Sequence, residues 1–179
     1  MSDNNWTSGF GPAPARSGGN FLAPGVYDLS VISCVRRTSQ NPATQGHTFV
    51  ILEARVEAVI VAFEAFNEGN LVFPASNKVG EAVSVLNNVT KMPQTAWPSV
   101  KGWLLAILRA KALEVGAPPP EEGQIDAPAW ERALVAAVDG AGTKFVGTRI
   151  RCHASRGTTR AKTPFTNLRF EAVTPAARA

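Results

Sequence analysis

Apolar and polar residues alternate along most of the chain, and the alternation gives way to a longer period only in the middle. Over residues 25–35, Tyr27, Leu29 and Val31 interleave with Val26, Asp28 and Ser30, the period of two that predicts a half-buried strand. Residues 36–46 form a polar run with turn formers and no period, which predicts a loop with Arg36 and Arg37 at its root. Residues 47–59 alternate again. Val50, Leu52, Ala54 and Val56 share one face, and Phe49, Ile51, Glu53, Arg55 and Glu57 share the other. This predicts a long second strand with a wet face on which only Phe49 and Ile51 are apolar, and Arg55 is expected to pair with Glu53 or Glu57. Residues 60–78 carry no readable period, since Val61, Phe63 and Phe66 suit either a strand or a short helix. Residues 79–86 alternate once more and predict a third strand.

The helical period then appears. Val100, Trp103, Leu104, Ile107 and Leu108 stand at i, i+3, i+4, i+7 and i+8, with Pro98 near the first turn and Gly116 past the end, which predicts an amphipathic helix of about four turns. Three prolines at 118–120 stop it. A shorter helix is expected over residues 127–138, capped by Asp126 and anchored by Trp130 and Leu134. Alternation returns over residues 145–154, with Arg149, Arg151 and His153 outward and Thr148, Ile150, Cys152 and Ala154 inward. Residues 155–164 read as a loop holding Arg156, Arg160 and Lys162. Residues 165–173 read as a last strand with Leu168, Phe170 and Ala172 inside and Arg169 outside.

The flanks differ in kind. Residues 1–24 are rich in Gly, Pro, Asn and Ser, a composition that buries too little to offset ordering entropy, so a flexible arm is expected there. Trp6, Phe10 and Phe21 are its unusual members, read as loose packing or as a stacking arm. Residues 174–179 form a short tail. The chain of 179 residues, 45% hydrophobic, suits one domain over residues 25–173, with a helical insertion at about 96–140.

Composition excludes several classes of function. No apolar run approaches the roughly 18 residues of a membrane helix, and residues 1–5 lack the basic and apolar regions of a secretory signal, so a cytoplasmic protein is expected. Cys34 and Cys152 are too few and too far apart for a disulfide framework or a metal knuckle, and both are expected buried and reduced. There is no phosphate loop, HExxH or GxSxG, and no carboxylate pair with tuned surroundings, so neither catalysis, cofactor nor metal is expected. Trp103, Trp130 and Tyr27 are expected in the core.

Charge adds a direction. Residues 143–179 hold eight bases against one acid (+7), whereas residues 113–142 hold six acids against one base (−5). Segregation of this kind points to a face that meets a polyanion.

Three strands, a helical insertion and two further strands make up a mainly β or α+β fold, and this is the element order of an OB-fold, a five-stranded, partly open barrel. The two basic loops fall between strands one and two and between strands four and five, the loops with which that fold binds oligonucleotides or oligosaccharides. Gly25-Val-Tyr27-Asp-Leu29, the run from Gly46 through His47, Phe49 and Val50 to Glu53, Val100-Lys-Gly-Trp103 and Thr163-Pro-Phe165-Thr-Asn167 together resemble the single-stranded DNA-binding proteins of tailed bacteriophages, which are OB-fold proteins. The resemblance covers roughly residues 25–173. It implies single-stranded DNA binding in phage replication or recombination, with proteins of those processes as partners. Many such proteins end in an acidic recruiting tail; this chain ends Thr174-Pro-Ala-Ala-Arg178-Ala.

A sequence-tolerant binder needs a cationic groove with aromatic platforms. The phosphate-contacting candidates are Arg36, Arg37, Arg149, Arg151, Arg156, Arg160, Lys162 and Arg169. Phe49 and Phe165 are the stacking candidates. Two other readings use the same residues: a phage capsid or tail β-domain that assembles through its arm, and an RNA-binding domain. The sequence leaves self-association open.

Overall fold

The strands form because β-branched and aromatic residues alternate with polar ones, and they assemble into one five-stranded antiparallel sheet. The computed structural model describes residues 21–69, 71–138, 142–159 and 163–173. The sheet is built from β1 (Gly25–Thr38), β2 (Thr48–Ala62), β5 (Ala82–Asn88), β6 (Arg149–Thr158) and β7 (Pro164–Ala172), in the order β5-β2-β1-β6-β7. A separate two-stranded hairpin joins β3 (Phe66–Glu68) to β4 (Leu71–Phe73). Every pairing is antiparallel, so the two outer strands, β5 and β7, run in the same direction. They are not hydrogen-bonded to each other. The expected barrel is therefore not closed.

β1 holds the sheet together because it pairs with β2 along its whole length and with β6 over residues 25–30. Its register with β2 shifts three times, between Val26 and Tyr27, Asp28 and Leu29, and Val31 and Ser33, and bulges of this kind bend a strand and increase its twist. Past Ser30 a non-strand segment takes over from β6: Val31 N–H donates to the Thr148 carbonyl at 3.0 Å and Cys34 N–H to that of Gly142 at 2.9 Å. Gly142 has φ +68°, and a Cβ there would collide with the Cys34 carbonyl oxygen, so only glycine permits this approach.

The core lies on one face of the sheet. Tyr27, Leu29, Val31 and Cys34 of β1, Val50, Leu52, Ala54 and Val56 of β2, and Ile150, Cys152 and Ala154 of β6 are all buried. Helix α1 (Pro93–Glu114) packs there, burying Val100, Trp103, Leu104 and Ile107, the residues whose spacing predicts its stripe. It runs 22 residues because Pro93 opens it, so Pro98 lies inside rather than at the start. Gly116, at φ +70°, ends it, with Ala117 N–H returning to the Ala112 carbonyl at 2.8 Å. Helix α2 (Ala127–Val138) occupies its expected span, and the Asp126 carboxylate caps it by accepting from Ala129 N–H at 2.7 Å.

Several boundaries move. β1 runs on through Arg36 and Arg37, and β2 continues to Ala62, because nothing in residues 36–38 or 60–62 forces a turn. The unreadable stretch is the end of β2 plus the β3–β4 hairpin. β6 starts at Arg149, after a turn at 145–148, and continues through Arg156 to Thr158; the first four residues of the expected 155–164 loop are therefore strand. Folded chain begins before Gly25, since Leu22 and Ala23 are 4% exposed and Phe21 forms a parallel bridge to Ser84 of β5. No helix among the described residues is long and apolar enough to cross a membrane.

Candidate nucleic-acid interface

On β6, alternation sends Arg149, Arg151 and His153 to the face opposite the core, and each meets a carboxylate there. Arg151 Nε donates to Asp28 Oδ1 at 2.7 Å and its terminal nitrogen to Oδ2 at 3.2 Å, a two-pronged contact that suits the planar guanidinium. Arg149 stands 3.8 Å from the same carboxylate. Asp28 is buried, and its hydrogen bond raises the pKa of Arg151 above the usual arginine value. His153 Nε2 lies 3.1 Å from Glu171 Oε1 on β7. The outward row of β6 is thus balanced by acid partners that its own alternation does not reveal.

Arg156 behaves differently again. Continuing the alternation of Ile150, Cys152 and Ala154, it lies on the core side of β6 at the rim. Its guanidinium carbon lies 5.4, 5.1 and 5.6 Å from the ring centroids of Phe63, Phe66 and Phe73, a threefold cation–π contact. It also donates to the Glu64 carbonyl at 2.6 Å. Phe63, Phe66 and Phe73 were not among the expected site residues; three phenylalanines close together in the sequence were the available signal, and no period tied them to a face.

Arg36 and Arg169 are exposed, and neither has an ion-pair partner among the described residues. Arg37 is also exposed and pairs across the sheet with Phe49, which pairs in turn with Asn88 of β5, so the three form one row. Phe49 is 8% exposed and Ile51 3%: both are covered, and the second face of β2 is wet only from Glu53 onward. Arg55 has no ion pair among the described residues; Glu53 instead accepts from the Ser33 hydroxyl at 2.6 Å. Phe165 is 41% exposed and lies against Gly157, where an added Cβ would sit 2.8 Å from its Cζ. Arg160 and Lys162 lie outside the described residues, as do Trp6, Phe10 and the tail.

Trp103, Trp130 and Tyr27 are core residues, and the Tyr27 hydroxyl donates toward the Ala23 or Pro24 carbonyl while accepting from Asn77 N–H at 3.1 Å. Both cysteines are buried and unpaired. Burial pushes the Cys34 thiol up to about 12 and raises that of Cys152 as well. Among the described residues, no cluster of three or more His, Cys, Asp or Glu is placed to hold a metal ion.

Arg36 and Arg169, which face solvent without an ion-pair partner among the described residues, are therefore set apart from the cations held by carboxylates or rings. No family model, no curated protein and no solved structure matches the chain.

Proposed function

We propose that this protein binds single-stranded DNA with little regard to sequence, on an OB-type scaffold, as in the phage replication and recombination proteins it resembles. The observation that carries the reading is the arrangement of the sheet: the first long strand lies between the second and fourth, and the helices are inserted between the third and fourth. In that layout Arg36 and Arg37 end the first strand, just before its connection to the second, and Phe165 opens the last strand just past the hairpin that leads into it. Phosphate contacts dominate the affinity of such proteins. Arg36, Arg37 and Arg169 are the first contacts, joined by Arg160 and Lys162 of the hairpin; Arg149 and Arg151 reach a phosphate only by sharing it with Asp28. Phe165 is the exposed stacking residue, and the partners are single-stranded DNA and the proteins that act on it.

A second reading, an assembly module of a larger structure, has one observation in its favour. Ile60, Val61, Phe63 and Val72 are exposed apolar residues at the end of β2 and on the adjoining hairpin, a set that suits a protein contact. Sedimentation with and without a dT oligomer separates the two. The DNA-binding reading expects the oligomer to co-sediment with protein of defined small size; large ordered assemblies that form without nucleic acid and ignore the oligomer would contradict it.

A further inference from the structure

The outer edges of β5 and β7 face each other across a groove of about 1200 Å³, with the first turns of α1 also lining it. Its chemistry is nearly neutral: Glu81 is the single charged residue among those that line it. Ser84, Ser99, Thr166 and Asn167 line it too, and their side chains make no hydrogen bond among the described residues. Phe165 stands at its rim, braced on Gly157.

The ends of the groove matter as much as its lining. At one end Asn88 shares its row with Phe49 and Arg37, about 10 Å across two strand spacings. The other end is bounded by Thr159 and Pro164, where β6 gives way to β7. Apart from Glu81 the channel carries no charged side chain. A phosphate gains nothing in a channel whose one charge is a carboxylate. An unpaired base is neutral, carries donors and acceptors on its edge, and offers a face for stacking.

We infer that this groove takes up the bases of a bound single strand, stacked on Phe165 and hydrogen-bonded by Ser84, Ser99, Thr166 and Asn167, while the phosphates run outside it. The inference rests on the DNA-binding reading above and adds where the bases go. An extended peptide is the rival occupant, since free strand edges accept one. However, the chain's own Phe21 already bridges Ser84, so part of the β5 edge is taken, whereas the side-chain groups remain open.

The test compares a labelled dT oligomer with an abasic oligomer of equal length, which keeps the phosphates and lacks the bases, on the full chain and on Phe165→Ala, Asn167→Ala and Phe165→Trp. The full chain is expected to bind dT about tenfold more tightly than the abasic strand. Phe165→Ala and Asn167→Ala together should remove most of that preference while leaving abasic binding and the thermal midpoint unchanged, and Phe165→Trp should keep the preference, its fluorescence quenched on adding dT. Equal binding of the two strands by the full chain, or a preference untouched by the double variant, would overturn the groove assignment and leave DNA binding standing. Failure to bind either strand would overturn the DNA-binding reading itself.

Discussion

Arg149 and Arg151 on β6 and Arg36 at the end of β1 look equivalent in the sequence, since each counts toward the same set of expected phosphate contacts. In the fold they are different objects. The β6 pair closes on the buried carboxylate of Asp28, whereas Arg36 is exposed with no acid partner among the described residues. Charge on a segment therefore does not measure charge available to a ligand; the neighbouring strand decides. Here the neighbour is β1, whose residue 28 pairs with residue 151 in the register. Arg149 and Arg151 of β6 serve the sheet first, whereas Arg36 near the end of β1 and Arg169 on β7 stand exposed.

That contrast can be broken at Asp28, where the largest effect is expected. Asp28→Ala leaves two arginines facing an apolar gap, and a fully buried pair would lose about 3 to 5 kcal/mol. Because the side chains of Arg151 and Arg149 are 34% and 55% exposed, about 2 kcal/mol is expected by urea denaturation. The released arginines should also steepen the salt dependence of DNA binding. Next comes Arg156→Ala. It removes the contact with three rings and the bond to the Glu64 carbonyl, so about 1 to 2 kcal/mol of stability should go while the salt slope stays put; the reverse pattern would make Arg156 a phosphate contact.

Arg36→Ala sharpens the other side of the comparison. Stability should stay within about 0.5 kcal/mol, and the slope of log affinity against log salt should fall by about 0.7, the value for one single-strand phosphate. The smallest effect concerns pH. Burial holds the Cys34 thiol at about 12 against an ordinary value of 9.0, so the unfolded chain loses that proton first as pH rises. Stability from this group is therefore complete below about pH 9 and declines between about 9 and 12. Cys34→Ala should flatten that decline in chemical denaturation measured at pH 8 and pH 10.

Much of the fold was legible because alternation reports burial directly. Ile150, Cys152 and Ala154 inward, Val100, Trp103 and Ile107 on one helix stripe, and Asp126 as a cap all follow from spacing alone. The failures share a physical cause. Where strands end depends on how long a neighbour keeps pairing, and β2 goes on to Ala62 because β1 is there to receive it. Phe49 looked wet because its polar face was inferred from Glu53, Arg55 and Glu57, and what covers a residue is a tertiary fact. The site was the least legible part. Two of its expected phosphate contacts depend on a carboxylate more than a hundred residues away, and the groove between β5 and β7 exists only because two strands distant in sequence come face to face unpaired.

The central claim is that the molecule's exposed cations engage single-stranded DNA. Fluorescence anisotropy with labelled poly-dT, repeated over a range of salt and against duplex of equal length, tests it most directly. The account predicts binding that prefers the single strand and weakens on a log–log slope of about −0.7 for each phosphate contacted. Binding that is flat in salt, or no binding at low salt, would contradict it.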